Sequence, residues 1–212
     1  MNATFSLVDD PEAYRAGIRV VMTERRRVAD TFECIGDPLL RRLGDYWLSL
    51  RTGRPMPSRR DIDPAAMPWA LPYVYLVDCL TDAGPGADGG RWRYRYRVAG
   101  EAIEQVFRGR MGRSSARHVW LDDMIAPEAL PLVMERWRPL AESGQILFMQ
   151  GMIYRLADRF ARGCRLMLPL AEIPGGPVTG FIGITRCDWT IPVIDPAAAD
   201  ITITHIPAAG LA

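Results

Sequence analysis

The sequence contains no lysine: all 26 of its basic residues are arginine, set against 25 acidic residues. The formal charge of +1 leaves no global attraction to nucleic acid or to a membrane surface. Because the acidic count balances it, the arginine-only usage reads as a coding bias, of the kind expected of a GC-rich bacterial source. Long apolar runs are missing too. Val20-Val21-Met22 is far too short for a signal-peptide core or a spanning helix, so a cytoplasmic location is expected. The four cysteines, Cys34, Cys79, Cys164 and Cys187, form no Cys-x-x-Cys pair, which fits mostly buried thiols in a reducing compartment. No phosphate loop or dinucleotide fingerprint occurs. No paired catalytic groups can be assembled by spacing, so an enzyme is not expected.

What is present is the material of an ordinary soluble domain. Hydrophobic residues make up 49% of the 212 and charged residues 24%. That length suits one domain with extensions, or at most two small domains. Its most informative stretch runs from Arg91 to Phe107. Arginines at 91, 93, 95 and 97 alternate with Trp92, Tyr94, Tyr96 and Val98, the period of a half-buried antiparallel strand with one charged and one aromatic face. After Gly100 the period changes, and Ile103, Val106 and Phe107 fall on one face of a short helix. An aromatic strand feeding into short helices suits a curved sheet that cups a small molecule.

The clearest helix spans residues 38–52. Asp37 is placed to cap it and Pro38 fits its first position. Leu39, Leu40, Leu43, Tyr46, Trp47 and Leu50 form one apolar face, and Gly53 fits the stop. Before it, residues 1–36 read as an extension in which Ile18, Val21, Met22 and Val28 suit one side of a helix, a candidate for dimerisation. Prolines 55, 57, 64 and 68 make the following linker an ordered one. Strands are predicted at 71–80, 91–99, 146–156, 164–170 and 178–185, with a helix beginning near Leu130 that Pro139 should end or kink. Strand 146–156 is apolar on both faces, with Ile146, Phe148 and Met152 on one and Leu147, Met149 and Ile153 on the other. It therefore needs a cover on each side. The pattern implies an α+β fold: a five-stranded antiparallel sheet with helices over one face and the helix 38–52 over the other. Residues 187–212 read as a tail, either an irregular strand or disorder, with a solvated His205.

Three segments carry a resemblance. The first is the helix with Tyr46-Trp47, followed by Pro57-Ser58-Arg59-Arg60-Asp61-Ile62-Asp63-Pro64 and Leu71-Pro72-Tyr73-Val74. The second is Tyr94 to Gly100 before a short helix. The third is Leu121 to Glu128, the helix to Gly144 and the three strands after it. Together, over residues 37–186, they resemble a PAS domain, in particular the stand-alone PAS proteins of alphaproteobacteria. The resemblance implies a sensory or protein-interaction module and a homodimer. No output domain is legible after residue 186, so action in trans on a sensor kinase or another regulatory protein is expected. The alternative is a ligand-free structural adaptor.

The pocket such a module would use is expected among Tyr96, Val98, Ile103, Val106, Phe107, Trp120, Met124, Trp137, Phe148, Met152, Leu166 and Ile182. Hydrophobic pockets with few polar groups are typical of ligand sites, although a filled core has the same composition. His118 is the candidate polar contact; axial haem ligation is a lesser reading, because a lone histidine lacks a supporting signature. His118 and Asp122 lack the further ligands a metal needs, so no metal site is expected and the cofactor is left open. The Asn-Cys-Arg-Phe-like motif of flavin photosensors is absent, and Cys164 reads as core. Arg108, Arg110, Arg113 and Arg117, with Ser114 and Ser115, suit either an anion or a solvated loop. The arginine face of strand 91–99 suits either solvent or an acidic partner.

Overall fold

The computed structural model describes residues 18–22, 32–33, 35–82, 90–108, 115–125, 127, 129–156, 159–190 and 201–208. Seven strands hydrogen-bond into one sheet: β1 (Ile18–Met22), β2 (Val74–Thr81), β3 (Trp92–Ala99), β4 (Gln145–Leu156), β5 (Arg159–Ala171), β6 (Val178–Thr190) and β7 (Ile201–Pro207). Their spatial order is β1-β7-β4-β5-β6-β2-β3. The five expected strands form the antiparallel block β4-β5-β6-β2-β3. Two more strands join beyond β4. β7 pairs antiparallel with β4, and β1 pairs parallel with β7.

Of these, β1 corrects the sequence reading, and β7 takes the strand alternative of the two left open for the tail. Ile18–Met22 is extended, not one side of a helix. Three of its five residues, Ile18, Val20 and Val21, are β-branched, and such side chains favour a pleated strand. The proposed helix residue Val28 lies outside the described residues. The tail is not merely loose chain: Ile201, Ile203 and Ile206 are buried along β7. The divisions at 36 and 186 therefore fall within one continuous sheet. His205, expected to be solvated, is 5% exposed opposite Leu147 of β4. Burial lowers its pKa below the ordinary 6.5, and its Nδ1 has no hydrogen-bond partner. Such a group favours the fold when neutral, and that contribution is lost as pH falls from 6.5 through the lowered folded value. His205→Leu should therefore lose less thermal stability between pH 7 and pH 5 than the parent chain, in paired calorimetric scans. Equal losses would show that His205 does not drive the acid response.

Helix α1 (Pro38–Leu50) starts and stops as its sequence dictates. The Asp37 carboxylate accepts hydrogen bonds from the backbone N–H groups of Leu39 at 2.8 Å and Leu40 at 3.1 Å. After the helix, Thr52 and Gly53 turn the chain through positive φ, 47° and 82°. Leu40, Leu43 and Trp47 are buried against Ile146, Leu166, Leu168 and Ile184, and the Trp47 indole N–H donates to the Pro169 carbonyl at 2.9 Å. The proline-rich linker is ordered. Ser58 and Asp61 cap one short turn reciprocally, and Asp63 caps the next.

The opposite face of the sheet is covered by α2 (Glu101–Phe107) and α3 (Leu130–Ser143). Pro139 lies inside α3 and does not end it, contrary to the simplest expectation from its missing N–H. Trp137, Leu140 and Ala141 around it are all buried, so tertiary packing outweighs the local cost. The helix ends instead at Gly144, whose φ of 60° is left-handed and whose N–H donates back to the Leu140 carbonyl at 3.1 Å. The sheet thus separates two apolar cores, one under α1 and one under α2 and α3.

Candidate functional site

Local chain geometry decides which candidate residues meet. On β3, Tyr94 and Tyr96 face the core under α2 and α3. A bulge then shifts the pairing between Leu76 and Val77 of β2, so that Ala99, not Val98, continues the buried row. Val98 is half-buried and outside both cores. α2 delivers Ile103, Val106 and Phe107 to the same space, the short turn at Leu121–Asp123 delivers Met124, α3 delivers Trp137, and β4 delivers Met152. These six and Tyr96 thus share one helix-covered core. Met152 was placed with Ile146 and Phe148 by simple alternation. A register shift after it, next to Gly151 at φ 119°, breaks that alternation.

Three candidates lie on the other face. Phe148, Leu166 and Ile182 pack under α1, with the sheet between them and the remainder. Trp120 is half-buried at the rim, with the guanidinium of Arg93 4.1 Å and that of Arg95 5.3 Å from its ring centroid. His118 is exposed, in a left-handed turn at φ 62° that aims its backbone N–H at the Tyr96 carbonyl. Its imidazole is thus on the surface. Of the proposed anion cluster, Arg110, Arg113 and Ser114 lie outside the described residues. Arg108 pairs with Glu101 at 3.2 Å, and Arg117 with Glu104 at 3.7 Å.

The arginine face of β3 is organised by two carboxylates. Asp78 of β2 is 5% exposed and pairs with Arg59 at 2.6 Å, Arg95 at 3.1 Å and Arg97 at 3.2 Å. Burial works to raise its pKa, but the Arg59 guanidinium, aided by Arg95 and Arg97, outweighs this and holds it below the ordinary value. Asp122 pairs with Arg93 at 3.3 Å and Arg91 at 3.6 Å. A cleft of about 420 Å³ lies between Arg91, Trp92 and Asp122 on one side and Met134, Arg138 and Glu142 of α3 on the other. It contains none of the pocket candidates.

The helix-covered core has features that pattern alone did not single out. Its aromatic rings form a connected series: Tyr75 to Tyr96 (5.8 Å between centroids), Tyr96 to Phe107 (6.2 Å), Phe107 to Tyr154 (6.2 Å) and Tyr154 to Trp189 (6.0 Å). Tyr75 can cross β6 only because position 183 is glycine, where a Cβ would come within 2.5 Å of its ring and hydroxyl. The hydroxyls of Tyr75, Tyr94 and Tyr154 are buried; among the described residues those of Tyr75 and Tyr154 meet only Thr185 and Arg165, and that of Tyr94 has no hydrogen-bond partner. Burial pushes the Tyr75 phenol up to about 12 and raises those of Tyr96 and Tyr154, so all three remain protonated donors near neutral pH. The thiols of Cys79 and Cys187 are also raised, and that of Cys164 is pushed up to about 11, chiefly by burial. They are therefore poor nucleophiles.

Residues 37–124, from the α1 cap through β2, β3 and α2 to Met124, match the family model described as PAS domain. Over that segment the chain is PAS-like, and the strands that follow continue the same sheet of an α+β fold. No curated protein and no solved structure matches the chain. Among the described residues, no helix is long and apolar enough to cross a membrane, and no group of three or more His, Cys, Asp or Glu is disposed to hold a metal ion.

Proposed function

We propose that this PAS-like domain is a non-catalytic sensory module that binds a small molecule in the core between the sheet and helices α2 and α3. The observation that carries the reading is the set of buried tyrosine hydroxyls at positions 75, 94 and 154, all on the helix-covered face, where among the described residues Tyr94 has no partner and Tyr75 and Tyr154 have only Thr185 and Arg165. A buried hydroxyl is costly where its hydrogen bonding is incomplete, and a core serving only as packing has no use for three buried phenols beside a buried guanidinium. A ligand offering acceptors to these groups would satisfy them. It would also bind one arrangement of the helical cover better than others and so shift its population. The signal would pass to a regulatory protein such as a sensor kinase, with the module acting as a homodimer in the cytoplasm.

Native mass spectrometry of freshly purified protein, set against the denatured mass, tests this reading. An excess mass lost on denaturation is the expected result, and the same spectrum reports monomer or dimer. An apo mass that no cellular extract or metabolite mixture alters would overturn the sensor reading.

The second reading, an adaptor without a ligand, is favoured by the β3 edge of the sheet. Five guanidinia there, from Arg59, Arg91, Arg93, Arg95 and Arg97, meet two carboxylates among the described residues, Asp78 and Asp122. Such a surplus suits an acidic partner surface.

A further inference from the structure

Arg165 occupies an inward position on β5. Its neighbours Cys164 and Leu166 face α1, so Arg165 lies with Met167 on the helix-covered side. It is 7% exposed. Its Nε donates to the Thr185 hydroxyl at 2.9 Å, and its guanidinium lies 4.9 Å from the centroid of the Tyr154 ring. No carboxylate among the described residues pairs with it. The ionisable groups around it are the phenols of Tyr154, Tyr75 and Tyr96, which are neutral near pH 7. Burial works against the guanidinium's charge, but a guanidinium holds its proton so strongly that the arginine stays charged. The partly buried Arg59, by contrast, has a counter-ion in Asp78. A buried cation without one is costly unless something else completes its coordination.

The surroundings define what is missing. The hydroxyls of Tyr75 and Tyr154 both lie against the Thr185 hydroxyl, and that of Tyr154 against the Arg165 guanidinium as well, so the groups that meet the cation are neutral hydroxyls. A guanidinium, two phenols and a threonine hydroxyl therefore converge with no anionic acceptor among the described residues. Among the described residues, Arg165 is the one cation whose charge bears on Tyr75, Tyr96 and Tyr154. One buried positive charge is balanced by one negative charge, and a phosphate dianion would leave an excess. The walls beyond the polar groups are aromatic, formed by Tyr96, Phe107 and Trp189.

We propose that Arg165 is the anion-binding group of this core, and that the ligand is a small organic monocarboxylate with an apolar body. The guanidinium receives the carboxylate through two parallel hydrogen bonds, and the Tyr75 and Tyr154 hydroxyls donate to the same oxygens. The aromatic series surrounds the apolar portion. This assignment rests on the reading of the core as a small-molecule site and names its ligand class.

The test uses the full chain in thermal-shift titrations with sodium butyrate and sodium phenylacetate, against butyramide and phenylacetamide at matched ionic strength. The acids are expected to raise the melting temperature in a saturable way, and the amides are not. Arg165→Met should weaken binding of the acids by about tenfold or more, the scale of a lost charge-assisted hydrogen-bond pair. Tyr75→Phe, which removes one hydroxyl and leaves the packing, should weaken it several-fold, and it decides the matter if Arg165→Met does not fold. Amides that bind as well as acids would overturn the anion assignment while leaving the sensor reading intact. Acid binding unaffected by either substitution would overturn it, as would the absence of any shift. In that last case the native mass still decides independently whether the core holds a ligand.

Discussion

Asp78→Ala is expected to destabilise the fold by about 3 kcal/mol, the lower end of the range for removing one partner of a buried charge pair. The lower end applies because Arg95 and Arg97 keep substantial contact with water, whereas Arg59 and Asp78 are largely buried. Once the carboxylate is gone, three guanidinia are left beside one another, and the link from the Arg59 turn to the sheet is cut. The pH dependence follows from the direction of the Asp78 shift. Its pKa is below the ordinary 3.8 in the folded chain. Its contribution is thus complete above that value and is lost as pH falls through the folded one. Urea titrations of parent and variant should therefore differ most at neutral pH and converge in strong acid. A difference that persists undiminished at the acid end would show that the loss comes from packing and not from the carboxylate charge.

That prediction also marks where reading the chain as a sequence stopped. The alternation of arginines and aromatics from Arg91 to Val98 gave β3 and its aromatic face, because a period of two is imposed by the pleat itself. Pairing across the sheet imposes no such signature. Nothing near Asp78 in sequence marks it as the carboxylate that would bind arginines 17 and 19 positions later. Nor could alternation foresee the bulge opposite Leu76 that takes Val98 out of the buried row. Phe148 was separated from Met149 correctly, since adjacent strand residues face opposite ways. Which of the two faces carried the helices depended on how α1 and α3 dock, a tertiary fact. Arg165 was missed for a different reason. In a chain whose only base is arginine, one more arginine drew no attention. A signal was available: it is a single charge between Cys164 and Leu166, in phase with Met167, in an otherwise apolar strand segment.

Trp137→Ala should cost about 3–5 kcal/mol of stability, the range for truncating a large buried aromatic. Trp137 is 2% exposed on α3 and meets Tyr94 edge-on at 5.2 Å between centroids and Phe181 at 6.2 Å. Those contacts fasten α3 to β3 and β6, and no wall residue of the Arg165 site is among them. The indole was a candidate pocket residue on pattern alone; its neighbours make it an anchor for the cover. Two measurements separate these roles. Chemical denaturation gives the stability loss, and the carboxylate titration repeated on Trp137→Phe, which keeps an aromatic ring, reports binding. The expected outcome is a large loss for alanine, a smaller one for phenylalanine, and near-normal carboxylate binding in the phenylalanine variant. Stability retained in Trp137→Ala, with binding abolished in both variants, would reverse the assignment. It would mean that the indole lines a space the ligand fills, and that the core extends as a pocket from Arg165 to Tyr94, whose buried hydroxyl lacks a partner among the described residues.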